Sequence, residues 1–251
     1  MPVRLWLTCP ADVMPPMLAR LQWLGVRRLQ RYLYGPLCRV SALLPDTTDT
    51  PLRVHWLWEQ GRQQGLTVYL YAGNDTDLPF ALPFLPPLRT EQGVFGSIRH
   101  PTTQLCLALL QAVGLDAKRV LDIGTGTGVL AVAALAGGAR QVIATDIAST
   151  AARLAAFNLA RYPSERWAVV VCDLASALRG CFDLVCCNIS ADVLPPLLSH
   201  LQHDLACDAL IVSGFTAPEW RSVRRWLRSR GWCVDQWRFL NGWLAAFARR
   251  L

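Results

Sequence analysis

The residues best able to do chemistry gather in Val120-Leu121-Asp122-Ile123-Gly124-Thr125-Gly126-Thr127-Gly128-Val129-Leu130. A short apolar run ends in an acid, glycines follow at alternate positions, and an alanine-rich segment begins. That order reads as strand, tight turn and helix, with glycine letting the backbone approach a ligand at the helix N-terminus. A dinucleotide fingerprint needs G-x-G-x-x-G, whereas the spacing here is G-x-G-x-G. An acid ahead of the first glycine suits the ammonium of a methionyl group better than it suits a pyrophosphate. The stretch therefore points to S-adenosyl-L-methionine rather than NAD, met by Asp122, Gly124 and Gly126. A turn that only packs strand on helix would use glycine in the same way.

In a parallel sheet, ligands bind outside the carboxyl ends of the strands, so polar residues at strand tips are the ones to collect. Gln141 to Asp146 reads as the next strand, and its terminal acid stands 18 residues after Gly128. A carboxylate there can accept hydrogen bonds from both ribose hydroxyls; a helix N-cap is the plainer use of the same residue. Asp173, after the third strand, could meet an adenine amine or simply make a turn. The fourth strand runs Asp183-Leu184-Val185-Cys186-Cys187-Asn188-Ile189-Ser190. The Asn188 amide at its tip offers a carbonyl acceptor to an incoming amine, which makes it the candidate catalytic, acceptor-positioning residue.

Elements must place these tips together. From Pro101 the pattern alternates helix and strand: helices over 101–113, 128–136, 148–160, 192–203 and 217–229, and strands over 119–123, 141–146, 167–172, 182–187 and 208–213. A closing hairpin, 232–239 and 243–249, turns at Asn241-Gly242. Before this region, Arg4–Thr8, Val26–Tyr34, Leu37–Leu44 and Leu66–Ala72 read as strands. Pro15 and Pro16 start a helix. Pro51–Gln64 reads two ways: Val54, Trp56 and Trp58 alternate as in a strand, while the length suits a helix. Taken as a helix, it completes βαββαβ, a ferredoxin-like plait. Pro79, Pro83, Pro86 and Pro87 mark a linker, and its Phe80, Leu82, Phe84 and Leu85 predict that it packs on a domain. The expected division is a small α+β recognition domain over 1–75, a linker over 76–93, and an α/β domain over 94–251.

Composition bounds the rest. The chain has 251 residues, is 53% hydrophobic, and is long enough to bury a sizeable core. No uncharged run is long enough to span a bilayer, and no signal peptide is legible at the start, so the expectation is a cytoplasmic protein with no membrane partner. Nine cysteines form no C-x-x-C pair, which argues against a zinc site or a disulfide framework; no metal is expected. The net charge of +7 is carried by arginine, shared between the two ends of the chain. Arg221, Arg224, Arg225, Arg228 and Arg230 suit the solvated face of a helix better than an RNA-binding patch, so direct nucleic-acid binding is not expected.

Three stretches resemble the PrmA family, bacterial class I methyltransferases that modify a ribosomal stalk protein. They are Phe95-Gly96-Ser97-Ile98-Arg99-His100-Pro101-Thr102-Thr103-Gln104-Leu105-Cys106-Leu107, the Asp122–Gly128 turn, and Asn188-Ile189-Ser190-Ala191. The intervals between them match the family as well, and Ser213-Gly214-Phe215 is similar to its fifth strand; the likeness covers residues 94 to about 220. The resemblance implies a mostly parallel seven-stranded Rossmann-like sheet, and contacts to S-adenosyl-L-methionine from Thr103, Gly124, Asp146 and Asn188. Thr103 falls in the first turn of its helix, where a hydroxyl and free N–H groups could hold the methionyl carboxylate. His100 is expected to brace that helix rather than to react.

Two departures stand out. The family's G-T-G-T before the histidine is Gly96-Ser97-Ile98-Arg99 here, and the region ahead of it is shorter than the family's recognition domain and linker. The expected function is N-methylation of protein amino groups, on a ribosomal or other cytoplasmic protein. The alternatives are methylation of a small molecule or RNA, or S-adenosylmethionine binding without turnover. Against an adenine acceptor, the strand-four tip lacks the stacking aromatic of N-P-P-Y. On this reading the folded protein binds S-adenosyl-L-methionine in calorimetry and gives no heat with NAD; the reverse result removes the cofactor assignment.

Overall fold

The computed structural model describes residues 2–64, 69–73, 85–203 and 205–251. The first six elements are β1 (Val3–Pro10), α1 (Met14–Trp23), β2 (Arg27–Tyr34), β3 (Leu37–Leu44), α2 (Thr50–Gln63) and β4 (Tyr69–Gly73). They pair in the order β2-β3-β1-β4, all antiparallel, which is the ferredoxin-like plait. The ambiguous segment is a helix. What decides it is burial at helical spacing, since Val54, Leu57 and Gly61 face the core while Trp56 stays exposed. Thr50 ties its start, donating to the Pro45 carbonyl at 2.7 Å and accepting from the Thr47 amide at 2.9 Å.

The second half comprises α3 (Pro101–Val113), β5 (Arg119–Ile123), α4 (Val129–Ala136), β6 (Gln141–Asp146), α5 (Ser149–Leu159), β7 (Trp167–Val171), β8 (Gly180–Asn188), α6 (Leu194–His203), β9 (Leu205–Thr216), α7 (Trp220–Ser229), β10 (Trp232–Leu240) and β11 (Trp243–Arg250). Its strands are ordered β10-β11-β9-β8-β5-β6-β7. The five strands β5 to β9 run parallel, and β11 lies antiparallel to β9. Central strands are buried on both faces, so they read as apolar runs rather than alternations. This is the expected α/β class and the expected Rossmann-like sheet.

The sheet is nevertheless larger than expected. β4 pairs antiparallel with β10, Phe239 opposite Ala72, so plait and Rossmann-like half share one eleven-stranded sheet. Exposed strand edges seek partners, and here two edges satisfy each other. Around the seam, His55 meets the Phe239 ring edge-on at 6.4 Å, and Trp237 Nε1 donates to Asp46 at 3.2 Å. Asn241 exchanges two hydrogen bonds with Leu70, accepting the amide on its side-chain oxygen at 3.0 Å and donating its own amide at 3.1 Å. The arginine face is thereby divided. Arg225 and Arg228 are exposed, while Arg221 pairs with Asp49 at 2.9 Å and Arg224 donates to Thr48, both across the seam. The linker residues Phe80, Leu82 and Phe84 lie outside the described residues; Leu85 and Leu88 pack on the core between α3 and the sheet.

Asn241 sits in the left-handed region, φ 48°, at the hairpin turn. Asn241→Gly keeps that conformation and removes the acceptor for the Leu70 amide, so it is expected to cost about 1–3 kcal/mol. Asn241→Asp keeps the acceptor and should cost less. Urea unfolding midpoints of the three proteins check this, and a neutral Asn241→Gly would show that the seam does not depend on that bond.

Candidate functional site

The parallel strands end in a cavity of about 650 Å³. Its wall includes Gly124 and Gly126 after β5, Asp146 at the tip of β6, Asp173 after β7, and Asn188 at the tip of β8. Gly214 in β9, Trp243 at the start of β11, and the arm Gly93–Phe95 complete it. Four of the expected site residues, Gly124, Gly126, Asp146 and Asn188, therefore meet in one space.

The glycine turn is shaped by its neighbours. Gly126 has φ +55°, and a Cβ there would lie 2.2 Å from the Phe95 carbonyl oxygen. That contact belongs to a stitch in which Thr127 donates its amide to Phe95 O and its hydroxyl to Gly96 O, each at 2.9 Å. Gly214, φ +94°, is under a similar constraint, because a Cβ would strike the Ile189 carbonyl oxygen at 2.1 Å. The β8 tip and β9 can lie this close only with glycine at 214.

Asp146 holds the turn from the other side. Its Oδ2 accepts the Gly126 amide and its Oδ1 the Ala148 amide, both at 2.9 Å. The N-cap of α5 is Ala148, so the N-cap use considered from sequence is not made; Asp146 instead ties the turn ahead of the helix, and a carboxylate with about four acceptor positions can do so and still face the cavity. Asn188 is different. Its Oδ1 is buried and has no hydrogen-bond partner, although the residue borders the cavity.

Thr103 and Asp122 do not line the cavity. Asp122 is buried behind the turn, where its Oδ2 accepts the Thr125 hydroxyl at 2.6 Å and the Ala131 amide at 3.1 Å. Burial pushes its carboxyl up to about 6, opposed by those two hydrogen bonds and raised further by Asp146. The expected ammonium partner is therefore turned towards the loop it shapes. Thr103 is fully buried in the first turn of α3, with its Oγ1 unpartnered.

His100 is the N-cap of α3: its Nδ1 lies 2.7 Å from the Thr102 hydroxyl and accepts the Thr102 amide at 3.4 Å. Its ring stands edge-on between Phe95 at 4.9 Å and Trp243 at 5.3 Å, and desolvation holds its pKa below the usual imidazole value. The histidine braces the helix and also forms part of the wall. In the altered loop, Ser97 accepts the Arg99 amide on its hydroxyl at 3.2 Å and the His100 amide on its carbonyl at 3.1 Å. The loop is thus a closed turn with Ile98 facing outward, 41% exposed.

Sequence reasoning missed Phe95, Trp243 and Asn158. Asn158, fully buried in α5, donates to the carbonyls of Arg89 at 2.9 Å and Thr127 at 2.8 Å and accepts the Arg89 amide at 2.9 Å. It clamps the arm to the glycine turn. The signal was a polar amide among alanines and leucines on a buried helix face. Among the described residues, no cluster of His, Cys, Asp and Glu could hold a metal, and no helix is long and apolar enough to cross a membrane.

Comparison with known proteins bears on this arrangement. The family model for ribosomal protein L11 methyltransferase (PrmA) matches residues 89–250. The ribosomal protein L11 methyltransferase of Lacticaseibacillus paracasei is 35% identical over 152 residues, 60% of this chain and 48% of that protein. Its counterpart in Geobacter sulfurreducens is 43% identical over 121 residues, 48% of this chain and 40% of that one. The chain spans about half the length of the curated relatives it matches. The crystal structure of ribosomal protein L11 methylase from Lactobacillus delbrueckii subsp. bulgaricus superposes with a TM-score of 0.56 at 29% identity, covering 59% of this chain and 78% of that one. The match begins at Arg89, where the arm clamped by Asn158 starts, and runs through every strand that carries the cavity: the chain belongs to the ribosomal protein L11 methyltransferase (PrmA) family.

Proposed function

We propose that this chain transfers a methyl group from S-adenosyl-L-methionine to an amino group of a protein, with the ribosomal protein named by its relatives as the first acceptor to test. The observation that carries the reading is Asn188: a buried amide oxygen with no partner, bordering a cavity at the strand ends. An acceptor left unpaired in such a place costs free energy unless a donor arrives. A neutral amine is such a donor.

S-adenosyl-L-methionine would supply an electrophilic methyl on a sulfonium. The residues present fit it. Asp146 keeps lone pairs free for ribose hydroxyls after accepting two amides, and Asp173 stands where an adenine amine can be met. Gly124 and Gly126 present backbone without side chains. Asp122 contributes indirectly by holding the turn. Thr103, in the first turn of α3, is fully buried and not part of the wall, so its unpartnered hydroxyl is not one of these contacts.

The chain's own task is chiefly positioning, because an in-line displacement needs the amine directly behind the methyl group. A lysine acceptor must first lose a proton. From the ordinary lysine pKa of about 10.4, that costs roughly 4–5 kcal/mol at pH 7. A half-apolar wall of Phe95, Ile189 and Trp243 disfavours the charged ammonium, and the Asn188 carbonyl orients the neutral amine. His100 spends its Nδ1 on the helix cap, and burial lowers its affinity for a proton, so no base is assigned to it. The acceptor's proton leaves to water on this reading.

Two variants separate binding from positioning. Asp146→Ala should raise the S-adenosylmethionine needed for half-maximal rate by about 1.5–3 kcal/mol equivalent, with turnover at saturation less affected. Asn188→Ala should lower turnover that added S-adenosylmethionine cannot restore. Initial rates on the purified ribosomal protein, against S-adenosylmethionine concentration, give both numbers. Full rescue of Asn188→Ala by the cofactor would place the acceptor elsewhere, and wild-type protein that binds S-adenosylmethionine yet never methylates this acceptor would remove the substrate assignment.

A further inference from the structure

The plait has a second face that the transfer site does not use. Helices α1 and α2 cover one side of its sheet, where Leu5, Leu7, Val40 and Leu70 pack with Met17, Leu21, Val54 and Leu57; on the other side Tyr71 is fully buried and Trp6 packs against the core that holds it, so the face exposed among the described residues is that of β2 and the outer end of β3. Strand side chains alternate, so the intervening residues point the other way. The register sets Gln30 beside Ser41 and Trp6, Tyr32 beside Arg39 and Thr8, and Arg27 beside Leu43 and Arg4. Tyr34 stands at the outer end, 56% exposed, and Tyr32 is 38% exposed.

These groups are already arranged as a platform. The Trp6 and Tyr32 ring centroids lie 6.4 Å apart, and the Arg39 guanidinium lies over the Tyr34 ring at 5.4 Å. Tyr32 donates its hydroxyl to the Gln30 carbonyl oxygen at 2.9 Å, an arrangement in which the Gln30 amide nitrogen can still donate to a ligand. Charge is one-sided. None of β1 to β4 contains Asp or Glu, and Arg4, Arg27 and Arg39 stand in the outward register, while Arg31, opposite Val40, belongs to the helix side. β2 is moreover the edge of the sheet, with no strand beyond it among the described residues.

The chemistry on this face favours one class of partner. A protein-docking face gathers apolar side chains at its centre. Here the most exposed leucine of β2, Leu33, belongs to the helix side, opposite Cys38. Apart from Leu37 at the rim and Leu43 between Arg4 and Arg27, the outward set is aromatic, amide, hydroxyl and guanidinium. Aromatic rings on a four-stranded sheet stack unpaired bases, and arginine meets phosphate.

We propose that this open face binds single-stranded RNA. About two bases stack on Tyr34 and Tyr32, Arg27 and Arg39 meet phosphates, and Gln30 and Thr8 face base edges or 2′-hydroxyls. The inference does not depend on the transfer reaction, and the arginines of α7 take no part in it.

Fluorescence anisotropy of a short, unstructured, fluorescein-labelled RNA titrated with the full chain at low salt tests this. The same sequence as single-stranded DNA and as duplex RNA forms the comparison arms. Wild type should bind the single-stranded RNA most tightly. Tyr32→Ala combined with Tyr34→Ala should weaken binding by roughly tenfold or more, while the paired Tyr→Phe changes retain it. Arg39→Gln should reduce the dependence of log affinity on log salt by about one. Circular dichroism melting shows whether the alanine variant is folded, and the Phe and Arg39→Gln variants carry the test if it is not. The proposal falls if RNA gives no anisotropy change, if the variants bind as wild type does, if DNA or duplex RNA binds equally well, or if a polyglutamate peptide displaces the RNA at matched charge.

Discussion

At the end of β10, over Arg238–Leu240, the backbone groups that face away from β11 find their partners on β4. An unpaired edge of this kind would expose a row of donors and acceptors beside buried Trp237 and Phe239. Pairing it with the last strand of the plait removes both liabilities and sets how the two halves meet. The polar contacts around the seam follow from that choice. Asn241 at the hairpin turn reaches Leu70, and Arg221 and Arg224 lie over the loop at Thr48 and Asp49 because the strands have brought that loop beside α7. Surface ion pairs of this kind add little by themselves. The backbone ladder and the buried aromatic side chains hold the join.

At the other end of the parallel strands, close approach governs. The arm before α3 crosses the glycine turn near enough for Phe95 and Gly96 to accept hydrogen bonds from Thr127, and Asn158 clamps the arm from beneath. Asp146 joins the turn to the following helix while leaving part of its carboxylate towards the cavity. The same residue thus gives the turn its shape and meets the ligand space. Asp122 shows the converse. Its neighbours consume it, and its raised pKa records a carboxylate placed for the loop rather than for solvent.

The cavity and the plait's open face lie in one continuous sheet but make different demands. The cavity is built from strand ends, where backbone groups go unpaired and side chains converge. The open face is built from the middle of strands, where alternation alone sends every second side chain outward. That difference is why aromatic residues at Phe95 and Trp243 close a pocket, while those at Tyr32 and Tyr34 line a surface.

Local order was determined by the sequence alone. The glycine turn after an apolar run, the prolines that start α1 and α3, and the Asn241-Gly242 hairpin are all decided within a few residues, by backbone sterics and by hydrogen bonds to near neighbours. The class of fold follows from their alternation, and so do the cavity positions of Gly124, Gly126, Asp146 and Asn188, because a parallel sheet brings its carboxyl ends together whatever the loops do. Tertiary structure decided what depends on partners far along the chain. Pro51–Gln64 became a helix because Val54 and Leu57 had a sheet to pack on. Asp122 and Thr103 turned behind the wall because the neighbouring helices buried them. Asn158 and Trp243 became part of the site only when Arg89, Thr127 and His100 were brought beside them. The pairing of β4 with β10 belongs to the same group, since an edge's need for a partner is written in each strand but the choice of partner is made only when both edges meet in space.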